Sequence, residues 1–181
     1  MKKYLASLCA LLLAMLVVTG CDDPGDDVIW DISPFQLSLQ VVDAEGHSRL
    51  DPASGQGFLD KITATYEGHT YSLDYTWFQP KAESSIGKVR HKMCLARFRG
   101  LYLMPYGSGD GGCRYMLNFG EFQGEKDLIN KDLVIDWGDG SRDTFTLYHT
   151  CKWKNNEPHI VNRICRNGKE MKAPEDFIIV K

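Results

Sequence analysis

The stretch Leu133-Val134-Ile135-Asp136-Trp137-Gly138-Asp139-Gly140-Ser141-Arg142-Asp143-Thr144-Phe145-Thr146-Leu147-Tyr148-His149 decides the fold. Leu133, Ile135 and Trp137 stand at every second position, and Phe145, Leu147 and His149 resume that spacing after a break. Side chains along a β-strand alternate between two faces, so period two marks a strand with one buried face, whereas a helix would need a period of 3.6. The break is Gly138-Asp139-Gly140, residues that adopt the backbone conformations of a tight reversal. Two strands joined by a turn are therefore expected here.

Working outward, the same pattern recurs. Phe35, Leu37, Leu39 and Val41 alternate, as do Ile62, Ala64 and Tyr66, with Glu67-Gly68-His69 as a tight connection into Tyr71-Ser72-Leu73. Leu95 to Tyr106 reads as a strand closed by the glycine-rich run 107–112, and Cys113 to Phe122 as the next. His159 to Arg166 and Phe177 to Val180 complete the series, with Asn167-Gly168 as a type I′ turn between them. Residues 47–59 hold Pro52, Gly55 and Gly57 and read as a loop. Residues 79–92 are polar, open near Pro80, and read as a loop or one short helix. About nine or ten short strands without a helical stripe predict an all-β domain. The expected architecture is an antiparallel β-sandwich, immunoglobulin-like, or a partly closed barrel.

The N-terminus carries a different signal. Met1-Lys2-Lys3 precedes an uncharged apolar run from Tyr4 to Val18, which closes on Val18-Thr19-Gly20-Cys21. That run has the length of a signal-peptide core and is short of the roughly 20 residues that span a bilayer. A branched apolar residue, a small residue, Gly and Cys resemble the cleavage site of bacterial lipoproteins. Residues 1–20 are thus expected to be a signal peptide, and Cys21 the lipidated residue, carrying acyl chains such as palmitate. Two or three chains make a stable anchor. Asp22-Asp23-Pro24-Gly25-Asp26-Asp27 cannot bury apolar area and predicts an acidic flexible tether over 21–29. An Asp directly after the lipidated Cys resembles an inner-membrane retention signal. The acidic cluster resembles the surface-export signal of Bacteroidetes lipoproteins, and this second reading fits the rest of the chain better.

Removing residues 1–20 leaves 161 of 181 residues and shifts the net charge from −3 to about −5, since Lys2 and Lys3 depart. This suits one domain, 30–181, and gives no electrostatic footprint for nucleic acid. Of six cysteines, Cys9 lies in the signal and Cys21 takes lipid. Cys94, Cys113, Cys151 and Cys165 contain no C-x-x-C pair, which argues against zinc and redox sites. In an exported chain four cysteines suggest one or two disulfides, with free buried thiols the alternative. Cys151 and Cys165 flank a turn at Asn155-Asn156-Glu157-Pro158 and are the expected pair, while Cys94 and Cys113 either join each other or stay free.

Trp30-Asp31-Ile32, Val41-Val42-Asp43-Ala44-Glu45-Gly46, Asn118-Phe119-Gly120-Glu121 and Ile135-Asp136-Trp137-Gly138-Asp139-Gly140 together resemble a family of small, functionally uncharacterised Bacteroidetes lipoproteins. The resemblance spans most of the chain after Cys21 and implies no activity. Trp137-Gly138-Asp139-Gly140 alone is similar to a turn of PKD-type immunoglobulin-like domains, which supports a sandwich and transfers no chemistry.

Several constellations invite chemical readings. Asp136, Asp139 and Asp143 cluster as calcium ligands do, but their spacing is not that of an EF-hand, and Asp139 before Gly140 is more simply a turn residue. The glycine-rich run 107–112 lacks the Lys-Ser/Thr of a phosphate loop and precedes a strand. Of the five histidines, His149 and His159 are the pair a hairpin could bring together. Tyr75, Trp77 and Phe78 sit beside a loop as a candidate aromatic platform for a glycan or peptide. No cofactor, catalytic triad or metal motif is called for. Three function classes remain in order of preference. They are a non-catalytic binding or accessory module on a lipid tether, a structural or assembly component of the envelope, and a surface hydrolase. The first expects a glycan or protein ligand, a membrane contact through the lipid, and placement on the outer membrane, surface-exposed. The second expects a long unprotected edge strand or self-association.

Overall fold

A computed structural model describes residues 32–53, 55–75, 98–109 and 112–181. The signal peptide 1–20, Cys21, the tether 21–29, Trp30, Trp77, Phe78, the stretch 79–92 and Cys94 lie outside the described residues, as does the side chain of Cys113.

The described chain forms ten strands: β1 (Phe35–Val42), β2 (Thr63–Tyr66), β3 (His69–Ser72), β4 (Leu101–Gly109), β5 (Gly112–Phe122), β6 (Leu128–Asp136), β7 (Arg142–Lys154), β8 (Glu157–Arg166), β9 (Lys169–Met171) and β10 (Ile178–Val180). One four-residue helix, α1 (Gln56–Leu59), interrupts the stretch expected to be loop, and a 3-10 turn, Pro174–Phe177, precedes β10. The strands make two open sheets, ordered β10-β1-β5-β4 and β3-β2-β6-β7-β8-β9. Of the two architectures expected, the sandwich is the one formed. Neighbours pair antiparallel except β1 with β10, which run parallel through Gln40–Ile178, Val41–Ile179 and Val42–Val180.

Alternation becomes burial in a direct way. β1 is buried at Phe35, Leu37, Leu39 and Val41 and only partly covered between them. Leu103, Leu117 and Phe119 join these from the same sheet, against Ala64, Tyr66, Leu133, Ile135, Phe145 and Leu147 of the other. Each buried Leu, Ile, Val or Phe among them contributes about 1.5–3 kcal/mol on leaving water. Tyr66, Phe98, Phe119 and Phe122 form an aromatic cluster at one end, with Phe98 edge-on to Phe119 at 5.3 Å between centroids.

The turns use the residues that tolerate positive φ. Glu67-Gly68, Asn155-Asn156 and Asn167-Gly168 each hold both central residues there, so β2–β3, β7–β8 and β8–β9 close through two-residue hairpins of the type I′ kind. Two local expectations move. Leu95–Tyr106 was to end at the glycines. β4 instead continues to Gly109 and pairs with Gly112 of β5, because glycine lacks the side chain that would splay a tight hairpin. Trp137 was to be a strand residue, but it follows β6 and is buried below the turn.

The expected Cys151–Cys165 bridge is not formed; both thiols are free. The two-residue turn pairs Cys151 with Ile160 and Cys165 with Thr146. Five positions of ladder therefore separate the cysteines, about 17 Å at the rise of a strand, and their side chains leave opposite faces of the sheet.

The outer face of the four-stranded sheet is polar near its centre. The Tyr102 hydroxyl donates to Gln36 Oε1 at 3.0 Å and approaches Glu121 Oε1 at 3.3 Å. Burial, reinforced by the Glu121 carboxylate, pushes the Tyr102 hydroxyl up to about 12.

Candidate functional site

Two polar constructions stand out, one closed and one open. The closed one lies under the Gly138-Asp139-Gly140 turn. Asp143 belongs to the inward row of β7, two residues before Phe145, and its side chain is buried with the core. Its carboxylate accepts from Trp137 Nε1 at 2.8 Å, Asn167 Nδ2 at 2.7 Å, Arg166 Nε at 3.0 Å and a second Arg166 nitrogen at 2.9 Å. Burial alone would push this carboxyl up; the donors from Arg166, Asn167 and Trp137 outweigh it and hold it below the usual aspartate range. Lys181 adds a charge from β10's end, its Nζ 4.0 Å from Asp143 Oδ2 and 5.1 Å from the Trp137 ring centroid.

The other two acids of the trio face elsewhere. Asp136 accepts the Gly138 N–H at 2.9 Å and pairs with Arg142 at 2.8 Å. Asp139 accepts the Ser141 N–H at 2.8 Å and its hydroxyl. Backbone N–H donation to Asp136 and Ser141's hydroxyl at Asp139 hold both carboxyls low. The three acids are thus consumed by the turn and the core, and among the described residues they do not converge on one point. Gly138 is required there. At φ +71 a Cβ would sit 2.2 Å from Lys61 Cβ.

His149 and His159 also part company. His149 is buried, stacked on Phe35 at 5.1 Å, with Nδ1 2.5 Å from Asn162 Oδ1 and Nε2 2.7 Å from Gly124 O. His159 pairs across from Lys152 on the exposed, opposite face. Tyr75 is no platform residue: it packs against the core and its hydroxyl donates to Asp60.

The open construction is a cleft of 390 Å³ lined by Gln40, Val41, Val42, Gly46, His47, Ser48, Asp51, Tyr106, Arg114 and Tyr115. The β1–β5 ladder is paired as far as Leu39–Leu117, and the cleft opens beyond it. The loop after β1 forms one wall. Asp43 ties it by accepting the N–H groups of His47 at 2.7 Å and Glu45 at 3.1 Å, while its own N–H donates to His47 O at 2.9 Å. The His47 N–H is the main reason the Asp43 carboxyl lies low. Gly46 turns the loop at φ +87. Ser48 then bridges back to Val42. The opposite wall is the β4–β5 hairpin, where Tyr106 faces Arg114 and Pro105 faces Tyr115. Tyr106 is 54 % exposed.

Asp43, Glu45 and His47 bring potential ligand atoms within 4.8 Å of one another. Their spacing follows from the hydrogen bonds that shape the loop, and the cluster points to no ion.

None of the cleft residues was a site candidate from sequence; Val41, Val42, Gly46 and Tyr106 entered only as strand or motif residues. The usable signal was position: Tyr106 and Arg114-Tyr115 lie on either side of the glycine run, so a hairpin sets them side by side.

Comparison of the chain with protein-family models, with curated proteins and with solved structures found no match.

Proposed function

We propose that this chain is a lipid-anchored envelope lipoprotein whose β-sandwich is a non-catalytic binding module. The observation that carries the reading is the cleft between the β1 loop and the β4–β5 hairpin. Its size is that of a small-ligand site, and it mixes two tyrosine rings with a guanidinium, an imidazole, a carboxylate and an amide. Rings stack on the apolar faces of sugars, and the polar groups satisfy hydroxyls and carboxylates. A glycan carrying acidic sugars suits this set best, with Tyr106 as the stacking surface and Arg114 as the anion partner. Lipidation at Cys21, the acidic tether, and placement at the outer membrane facing outward belong to the same proposal; they rest on the residues of the N-terminal segment.

The test is titration of the full chain against a panel of neutral and acidic oligosaccharides. Saturable binding of an acidic member, lost in Tyr106→Ala and weakened in Arg114→Gln, is the expected result. Binding unchanged by both substitutions moves the site away from the cleft. Anchoring is tested separately by membrane fractionation of Cys21→Ala, expected to leave the membrane or accumulate as precursor.

A second reading, an assembly component of the envelope, draws support from the open edge of β8.

A further inference from the structure

β9 covers β8 only at Ile164, Cys165 and Arg166. Upstream of these, Glu157–Arg163 pairs with β7 on one side and, among the described residues, with no strand on the other. Three observations define what this edge presents. First, its hydrogen-bonding phase is fixed. The Asn167 N–H donates to Thr144 O at 2.8 Å, and the two-residue turn closes on Lys154–Glu157. Odd-numbered residues of β8 therefore spend their backbone groups on β7, and Pro158, Ile160 and Asn162 direct theirs outward. Second, the edge is apolar at its middle: Ile160 is 42 % and Val161 50 % exposed, with Trp153 of β7 53 % exposed beside Pro158. Third, its charges sit at opposite ends, Glu157 at the start and Arg163 at the far end, on one face.

We propose that this edge pairs antiparallel with the same edge of a second copy, about a two-fold axis through Ile160. The inference is independent of the cleft. Only this register overlaps the whole of Glu157–Arg163 in both copies without invading the β9 pairing. It sets Ile160 opposite Ile160 and each Glu157 opposite the other copy's Arg163, so opposite charges meet at both ends. Ile160 N–H and C=O exchange with their counterparts, and the Asn162 N–H donates to the other copy's Pro158 C=O. Pro158, which has no N–H, removes a donor that most other registers would use at the centre. Here it falls near the rim, where water reaches the unmatched carbonyl. A two-fold interface must be self-complementary, and this sequence of edge residues is. Pairing would also remove an exposed strand edge that otherwise invites promiscuous association.

The test uses the full chain throughout, with light scattering after size exclusion and non-reducing electrophoresis. The expected result is a concentration-dependent dimer. Glu157→Arg should weaken it about tenfold, since two attractive pairs become two repulsive ones, and Glu157→Arg with Arg163→Glu should restore it. Ile160→Cys should form an intermolecular disulfide on mild oxidation, because paired Cα atoms on the axis lie about 5.5 Å apart. Val161→Cys, whose side chain faces His159 of the other copy, should form it far less. A chain that stays monomeric at all concentrations overturns the proposal, as does equal cross-linking of the two cysteine variants. A monomer whose Ile160 and Asn162 amides are protected from hydrogen exchange overturns it too, and assigns the edge to another segment or partner.

Discussion

β7 lives in two environments along one strand. From Asp143 to Cys151 every second residue is buried, and the ladder there is sandwiched against the four-stranded sheet. From Lys152 onward both faces are exposed, and the β7–β8 hairpin continues as a two-stranded ribbon. The backbone geometry and the pairing are the same in both halves; only the second layer differs. Strand formation is therefore separable from stabilisation: alternation and turn residues make the ribbon, whereas burial against another sheet makes the core. The core half is expected to carry the folding energy and the ribbon half to be available for contact.

The strongest way to break the core half is Asp143→Ala. It strips the acceptor from Trp137, Asn167 and Arg166 at once and leaves the part-buried Arg166 guanidinium without its carboxylate partner. A loss of about 3–5 kcal/mol is expected from urea denaturation. Trp153→Ser, ten residues along the same strand and facing the same side, should cost less than about 0.5 kcal/mol. Equal losses would show that the ribbon is as structural as the core.

Gly138→Ala comes next. The added Cβ would clash with Lys61 Cβ at 2.2 Å, and a positive φ is strained for alanine, so about 2 kcal/mol or more should be lost. Gly140→Ala, also at positive φ but with open space around its Cβ, should cost about 1 kcal/mol. The difference between the two isolates packing from backbone strain.

This contrast also explains what the sequence made legible. Period two identified the inward rows of β1, β6 and β7, and the dipeptides Glu67-Gly68 and Asn167-Gly168 located the β2–β3 hairpin and the turn after β8. These are local signals, encoded within a few residues. Two features escaped because they are not local. The parallel β1–β10 pairing joins residues more than a hundred positions apart with no turn between them. Asp143 read as one of three turn carboxylates, although its phase with Phe145 and Leu147 placed it in the inward row; a charge in that row signals a buried partner. The cysteine pairing failed for a simpler reason. Cys151 lies four residues before the Asn155-Asn156 turn and Cys165 nine after it, so the two flank the hairpin at unequal distances, and Cys151 faces Ile160. The cleft escaped for the non-local reason, since its walls come from the β1 loop and the β4–β5 hairpin.

pH sharpens the comparison most gently. Asp143's carboxyl lies below its unfolded value, so the stability it adds is fully present above the unfolded aspartate pKa of about 3.9. It is lost as pH falls through the lower folded value, because protonation must release Arg166 and its companions. The ribbon half contains no buried carboxylate among the described residues. Its Lys152–Asp127 pair is exposed, and Asp127, held low chiefly by the Lys152 ammonium, adds little to folding. Denaturation midpoints measured from pH 7 down to pH 3 should therefore fall steeply for the wild type. They should fall more shallowly for Asp143→Asn, which starts less stable and has no carboxylate to protonate at this position. Asp127→Asn should track the wild type across the same range. Parallel curves for wild type and Asp143→Asn would mean that acid unfolds the domain through other carboxylates. The buried network under the Gly138–Gly140 turn would then be a fastener of the fold without being its acid-sensitive point.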